Sequence, residues 1–497
     1  MTASTLLLPE PVRTLLPALG GFRVWLVGGC VRDLILGRPT LDFDFAVERD
    51  GARLGRRLAN ELGADYFDLD PGRGAGRILL TIGAGRRATF DFATMRGPDI
   101  LEDLGLRDFT VNAMALPLSQ EGFAGEVLDP LHGGRDLREK LLRACSPKAI
   151  ADDPVRGLRA VRFAVDLGLR MDPETLRQVR SAHTILDRVS PERLRDELFR
   201  ILDGRRPGQG LRLMDELGLL ESLVPELGRL RGLVQPEPHA FDGLTHTLAT
   251  VDRLGDLVGL LCDAEEGAVA KDLVEAETLT ALGRFRASLC EYLEFSPSFG
   301  RRRRALLAWA ALLHDTGKPE TEAIVDGRLR FLGHELVGSR LAIEASRRLR
   351  LSTVEQAEVE MTVLHHMRPA WLEADGGPTA RGIYRFFRAA ESTGVSVVLL
   401  SMADLLGRDV PPVPEAAWRT RLATAQALLA SWFEPSQPGV APVPFLTGDE
   451  VMQTNEIPPG PEVGRILDAL REAQAIGEVQ SREDALAFVE RLGRAGG

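Results

Sequence analysis

Asp42 and Asp44, two residues apart in LDFDF, are the first residues of this 497-residue chain whose type and spacing could do chemistry. On a strand they share one face, while Leu41, Phe43 and Phe45 fill the other. Two carboxylates side by side repel unless a cation lies between them, and hard oxygen ligands at this density favour Mg²⁺. A bare pair of this kind also fits a solvated strand edge, so the preceding residues decide. Val24-Trp25-Leu26-Val27 reads as a strand running into Gly28-Gly29, where the chain turns tightly and brings N–H groups close to a ligand. Val31 to Leu36 reads as a helix, and its N-terminus with Arg32 beside it makes a phosphate site. A phosphate cradle beside a Mg²⁺ dyad is what phosphoryl or nucleotidyl transfer requires.

Asp91, in RATFDFATM, is flanked by Phe90 and Phe92 much as Asp44 is by its own phenylalanines. A two-metal site needs a third carboxylate on a neighbouring strand to take the proton of the attacking hydroxyl. Asp91 is the candidate; an edge-strand aspartate facing water is the plainer alternative. Arg107, Asp108 and Asn112 are polar residues set in an apolar stretch, which by itself also reads as a helix start with Asp108 near the cap. Asp153 and Arg156 lie three apart on one helical face, a spacing common in ordinary helices. Such a pair can also read a base edge: arginine donates where cytosine or adenine accepts, and the carboxylate accepts from the exocyclic amino group. Arg159 and Arg162 follow as candidates for phosphate contacts.

In this order, GGCVRD, DFDF, RDFTVNA and DDPVR resemble the nucleotidyltransferase superfamily to which polymerase beta belongs. Within it they resemble the bacterial poly(A) polymerases and the class II tRNA nucleotidyltransferases, the CCA-adding enzymes. The resemblance implies a polymerase-beta-like head in which Gly28, Gly29, Arg32, Arg107, Asp108 and Asn112 hold the incoming nucleotide. It also implies that Asp153 and Arg156 select CTP and ATP without a nucleic-acid template, with tRNA as the partner. Two departures stand out. Leu106 replaces the first arginine of the family's pair, and Asp152 replaces the usual glutamate of its acidic motif. Asp129, Pro130, Gly133, Gly134 and Asp136 follow the family pattern and read as turn and cap residues. Only GPDIL separates Arg96 from Glu102, where many CCA-adding relatives carry a longer flexible loop. In the family, lacking that loop is associated with adding only the two cytidines. The implied activity is CCA addition, with CC-addition, A-addition and poly(A) synthesis as alternatives.

A second chemistry lies further on. His239, His246, His314, His334, His365 and His366 are six of the eight histidines. His246, His314-Asp315 in LLHDTGKP and Asp404 in LLSMADLLG bring imidazoles and carboxylates from separate helices, a set that suits a divalent metal with room for an activated water. The pattern resembles the HD-superfamily phosphohydrolases. That implies a metal site of His246, His314, Asp315, His334, His365 and Asp404, the metal's identity being open. Lys318 fits a phosphate contact or a solvated lysine equally well, and His239 fits a structural role. Some CCA-adding relatives carry such a domain, acting on 2′,3′-cyclic and 2′-phosphates. A protein acting chiefly as an HD phosphohydrolase, with the head holding RNA, is the alternative from a different class. A non-catalytic RNA-binding protein is disfavoured by the completeness of both ligand sets.

The elements that must position these residues divide the chain in four. Residues 1–145 form the nucleotidyltransferase head, 146–230 a helical neck, 231–410 the HD domain after the Gln235–Pro238 linker, and 411–497 a helical tail with proline-rich connectors. The expected fold class is α+β, a small mixed sheet followed by helices almost throughout. Ala52 to Leu62 reads as a helix stopped by Gly63, and Ser190 caps a basic amphipathic helix. LTGDE and PGPEVG match the closing segment of class II enzymes, a tRNA contact by resemblance. Net charge is −11, yet Leu141 to Arg212 carries 15 Lys/Arg against 10 Asp/Glu, the best candidate for touching RNA. Helices laced with surface ion pairs account for the same charge. No apolar run reads as membrane-spanning, and four scattered cysteines without a CxxC pair point to neither disulfides nor zinc. A cytoplasmic protein without an obligate protein partner is expected.

Overall fold

The computed structural model describes residues 6–70, 72, 74–237, 239–263, 270–298, 300–408, 413–434 and 443–495. Residues 1–5, Pro238 of the linker and parts of the two proline-rich connectors, at 411–412 and 435–442, lie outside them. The chain forms two compact units, Met1–Ser190 with Leu217–Leu219, and Pro191–Glu216 with Leu220–Gly497. Residues 146–230 are thus shared between the two units.

The first unit is built on a seven-stranded mixed sheet of β1 (Val24–Val27), β2 (Asp42–Val47), β3 (Asp65–Asp70), β4 (Ala75–Ile82), β5 (Arg86–Thr94), β6 (Ala115–Ser119) and β7 (Gly122–Phe123). Their order is β3-β4-β5-β2-β1-β6-β7. Period-two alternation drives Phe43, Phe45, Phe90 and Phe92 to one face, where all four are at most 1% exposed. Phe45 stacks on Phe92 at 4.5 Å and Phe43 on Phe90 at 5.4 Å. β2 and β5 run parallel with Asp44 opposite Asp91, so this aromatic zipper fixes the register that sets the two carboxylates abreast. The helix Gly51–Leu62 covers the sheet with Leu54, Leu58 and Ala59 and stops at Gly63, whose φ is 61°. Helices Gly133–Glu139, Val155–Leu167 and Pro173–Ala182 follow.

The second unit is largely helical. Helix Gly394–Arg408 is buried from Gly394 to Gly407 and packs on Gly243–Val258. Helices Arg303–Leu313, His334–Arg348 and Thr353–His365 pack with them and with one another, around Trp309. One hairpin interrupts the helices, Glu322–Val325 paired with Arg328–Phe331 across Asp326-Gly327, both at positive φ. Contrary to the sequence reading, one stretch, 380–408, is long and apolar enough to cross a membrane. However, 83% of its most apolar window is buried inside the protein, which makes it a core segment. Helices Gly448–Asn455, Pro461–Ala475 and Arg482–Ala495 close the chain around Val451, Leu470 and Val489, the first opened by a Thr447/Glu450 capping box.

Candidate active sites

The head site forms where β1 ends. Gly28 sits at φ 81°, and a Cβ there would lie 3.0 Å from Asp44 Oδ2 and 3.4 Å from Arg107 Nη1. Only glycine allows the backbone, the carboxylate and the guanidinium to converge. A seven-residue helix, Gly29–Ile35, then carries Arg32 inward. Solvent reaches Asp42 and Asp44 from the open face of β2, yet Asp44 is deeply enclosed by protein. That enclosure, then the charge of Asp91, pushes the Asp44 carboxyl up to about 6, against the pull of Arg107 and Arg159. Crowded carboxylates of this kind fit a cation, and Asp42 and Asp44 would hold it. Mg²⁺ bound there supplies charge neutralisation to phosphate oxygens and acidity to an attacking hydroxyl.

Asp91 stands opposite Asp44 across the β2–β5 pair and is itself paired with a cation. Both of its oxygens accept from Arg77, from Nε at 2.8 Å and Nη2 at 2.7 Å. A primer hydroxyl that is to reach this carboxylate must displace Arg77 from it. As placed, Asp91 acts through its charge on Asp44.

The nucleotide-binding candidates form one connected network. Arg32 Nη1 donates to Asn112 Oδ1 at 2.7 Å, and Asn112 Nδ2 donates to Asp108 Oδ1 at 3.1 Å. Arg159 donates to Asp108 Oδ2 through Nε at 2.9 Å and Nη2 at 2.8 Å. Burial would raise the Asp108 carboxyl, but Arg159, Asn112 and the Phe109 N–H together hold it below its usual range. Asp108 is therefore the hub of this network rather than a helix cap, and only a 3₁₀ turn, Thr110–Asn112, follows it. Residues read as turn formers clamp that turn. Asp129 accepts from the Gly133 and Gly134 N–H groups at 2.6 and 2.9 Å, and Asp136 accepts from Thr110 Oγ1 at 2.6 Å.

Asp153 and Arg156 are neighbours, with 3.8 Å between Nε and Oδ2. Arg156 also donates to the carbonyls of Ala149 at 3.0 Å, Leu106 at 3.1 Å and Arg107 at 3.3 Å. The short segment after Arg96 is pinned as well. Asp99 caps helix Ile100–Gly105, and buried Asp103 accepts from the Arg96 N–H and from Arg107 Nη2, both at 3.0 Å. Sequence reasoning missed Phe163. Its ring underlies the guanidinium carbons of Arg32 at 5.3 Å, Arg159 at 5.5 Å and Arg162 at 4.3 Å. Its place four residues after Arg159 and next to Arg162 was the available signal.

In the second unit, two buried groups share one carboxylate. His246, His314 and Asp404 form the first; Asp315, His334 and His366 form the second. Asp315 Oδ2 lies 3.3 Å from His246 Nε2 and 3.2 Å from His314 Nε2, while its Oδ1 lies 3.4 Å from His334 Nε2. Asp404 Oδ1 is 3.2 Å from His246 Nε2, and the Nε2 atoms of His334 and His366 are 3.3 Å apart. The Nδ1 atoms of His246, His314, His334 and His366 each face a backbone carbonyl, at 3.1, 2.8, 2.8 and 2.6 Å. A carbonyl only accepts, so each Nδ1 carries a proton and each Nε2 is turned to the centre, where it would offer its lone pair to a metal. His246 Nε2 and His314 Nε2 are buried without a hydrogen-bond partner, aimed at the carboxylates of Asp315 and Asp404. Those orphaned atoms fit a divalent metal, which when bound supplies Lewis acidity and an acidified water.

One predicted ligand is corrected. His365 belongs to neither group: its Nδ1 accepts from Arg368 Nε at 2.9 Å, and burial with that cation lowers its pKa to about 4. His366 takes the place, because one residue along a helix turns the side chain by about 100°. Lys318 is buried, not solvated, with Nζ 2.6 Å from both Asp315 Oδ2 and Gln235 Oε1. Burial would raise the Asp315 and Asp404 carboxyls, but His314 and Lys318 for the one, and Arg408 and His246 for the other, hold both well below the usual range. The centre opens into a cavity of about 680 Å³.

Comparison with known proteins agrees with this layout. Residues 24–143 match the poly A polymerase head domain, 168–230 the probable RNA and SrmB- binding site of polymerase A, and 283–409 the HD domain. The chain is 31% identical over 474 residues to the CC-adding tRNA nucleotidyltransferase of Geobacter sulfurreducens, covering 95% of this chain and 92% of that one. It is 33% identical over 473 residues to the A-adding tRNA nucleotidyltransferase of Deinococcus radiodurans, covering 94% of each. The CCA-adding enzyme of Thermotoga maritima, solved in complex with tRNA, has the same fold at 20% identity, with a TM-score of 0.58 over 98% of this chain and 97% of that one. Head, RNA-binding segment and HD domain in one order, with relatives matched nearly end to end, establish that the chain belongs to the class II tRNA nucleotidyltransferase and poly(A) polymerase family.

Proposed function

We propose that the head transfers cytidylate from CTP to the 3′ end of tRNA without a template and stops before the terminal adenosine. The observation that carries this reading is the short, pinned segment between Arg96 and Asp103. Arg156 is held by the carbonyls of Leu106 and Arg107, directly after that segment. A base reader tied to a short, hydrogen-bonded segment is held in one position, which favours a single kind of incoming nucleotide. Among the relatives, the one from Geobacter sulfurreducens is named as CC-adding and the one from Deinococcus radiodurans as A-adding, so the first supports this choice and the second keeps A-addition as an alternative.

In this mechanism the primer 3′-hydroxyl gives up its proton to Asp91 once Arg77 releases that carboxylate. Its oxygen attacks the α-phosphorus, the bond from that phosphorus to the bridging oxygen of the β-phosphate breaks, and pyrophosphate leaves. Arg32, Arg107 and Arg159 hold the triphosphate, Gly28 allows it to approach the backbone, and Asp42 and Asp44 hold Mg²⁺. Asp153 accepts from the cytosine amino group while Arg156 donates to the ring acceptors. Complete CCA addition is the second reading, favoured because the same pair accepts adenine's amino group as well. Three tRNA transcripts, ending before CCA, after C and after CC, given CTP, ATP or both, test the choice. Arrest at CC on the first, and no extension of the third with ATP, are expected; CCA on the first establishes the second reading.

The histidine centre of the second unit supports hydrolysis of phosphate esters on RNA ends, 2′,3′-cyclic or 2′-phosphates. Release of phosphate or ring opening that depends on added divalent metal, and is lost in His314→Ala, tests it. Both reactions are proposed for a cytoplasmic protein acting without an obligate protein partner.

A further inference from the structure

The cavity over the histidine centre has more cationic lining than the centre itself uses. Lys318 and Arg408 are engaged there, Lys318 on Asp315 and Arg408 Nη2 on Asp404 Oδ2 at 2.8 Å. Arg328 and Arg330 are different. They lie two apart on the second strand of the hairpin, so they share one face and stand about 7 Å apart along it. Both line the cavity and are exposed. Neither has an ion pair or a side-chain hydrogen bond to any described residue. Glu237 is the one carboxylate lining the cavity outside the metal-ligand groups. The cavity also has apolar lining: Phe331, from the opposite face of that strand, Leu332 and Met367, with Leu332 67% exposed.

We propose that Arg328 and Arg330 bind the internucleotide phosphates that precede a terminal phosphate ester, so that the histidine centre prefers an RNA 3′ end to a mononucleotide. This rests on the phosphohydrolase reading above. Cations that touch none of the centre's carboxylates are left for phosphates other than the one being cleaved. The apolar lining points to nucleosides rather than inorganic pyrophosphate, which would leave it uncovered. In the reaction a water oxygen bonds to the terminal phosphorus, the bond from phosphorus to a ribose oxygen breaks, and that oxygen takes the proton the water gives up. One water is consumed and nothing is oxidised.

The test compares the full-length chain with Arg328→Thr/Arg330→Thr, which keeps strand-favouring residues in the hairpin. Substrates are a trinucleotide ending in a 2′,3′-cyclic phosphate, the corresponding cyclic mononucleotide, and pyrophosphate. The wild type is expected to favour the trinucleotide by at least about tenfold in kcat/KM, the worth of one charge-assisted hydrogen bond. In the variant that ratio is expected to fall to about one. A second measurement is made in EDTA, where no turnover occurs. Anisotropy of a fluorescent trinucleotide with a 3′-phosphate, compared with its 3′-hydroxyl form, is followed against salt, and the variant is expected to lose about 1.4 in logarithmic slope. An unchanged ratio in the variant, or a wild type that cleaves the mononucleotide or pyrophosphate equally well, overturns the assignment. No cleavage of any substrate sinks the phosphohydrolase reading instead, and the binding slope then decides the hairpin's role by itself.

Discussion

Asp44 connects geometry to stability most directly. Its carboxyl is raised to about 6 from an ordinary 3.8 by enclosure and by Asp91. Across that interval the metal-free folded chain binds a proton that the unfolded chain has released. Its stability therefore falls as pH rises from about 4 to about 6, and the loss persists above that. Asp44→Asn should abolish nucleotide transfer, yet raise the Tm in EDTA at neutral pH and flatten its decline over that range. Added Mg²⁺ should raise the first unit's transition in the wild type and leave that transition unmoved in the variant. A thermal-shift series in EDTA and in Mg²⁺ checks this; identical curves for the two proteins would refute it. Phe163 makes a different claim. With three guanidiniums on one ring, each worth about 0.5–1 kcal/mol, Phe163→Leu should raise the KM for CTP roughly tenfold while kcat changes less. A fall confined to kcat would mean that the ring does not position the triphosphate site.

At the scale of elements, what the sequence made legible is what periodicity encodes. Alternation in LDFDF and TFDFA located both strands and the faces of Asp42, Asp44 and Asp91. Helix Gly51–Leu62 was readable from its apolar spacing and closing glycine. Non-local pairing was not readable. Nothing in the text says that Arg77 claims Asp91, that Asp108 is gripped from a helix fifty residues on, or which of two adjacent histidines faces the centre. A run of four arginines, Arg301 to Arg304, shows the same limit. It reads as a basic patch, yet each member pairs with an acid: Arg301 with Glu355, Arg302 with Asp203, Arg303 with Glu358 and Arg304 with Asp263. The Arg303–Glu358 pair joins helices Arg303–Leu313 and Thr353–His365 at about 10% side-chain exposure. Glu358→Gln should cost the second unit about 3–5 kcal/mol by leaving a buried cation unpaired, whereas Arg303→Met with Glu358→Leu should be nearly neutral. Urea unfolding followed by Trp fluorescence distinguishes the two; equal losses would mean that the pair itself, not the orphaned charge, holds the helices.

Across the whole molecule, the two chemistries draw on separate side chains. Asp42, Asp44 and the Arg32-to-Arg159 network belong to the first unit, and both histidine groups belong to the second. No candidate ligand of one site is bonded to a candidate ligand of the other among the described residues. If each site is assembled by its own core, removing one metal-ligand set should leave the other reaction's kcat and KM within about twofold, the behaviour of independent sites. Asp42→Ala should lose nucleotide addition and keep phosphate-ester hydrolysis. His314→Ala should do the reverse, and because it removes a buried imidazole from packed surroundings, it should also lower the melting transition of the second unit. Assaying both activities on both variants, with calorimetry alongside, decides the matter. Loss of addition in His314→Ala without a change in the first unit's melting would show that the histidine centre acts on the head's substrate before transfer, for instance by freeing a phosphorylated 3′ end. A combined collapse of both activities and both transitions would show instead that the two units fold as one.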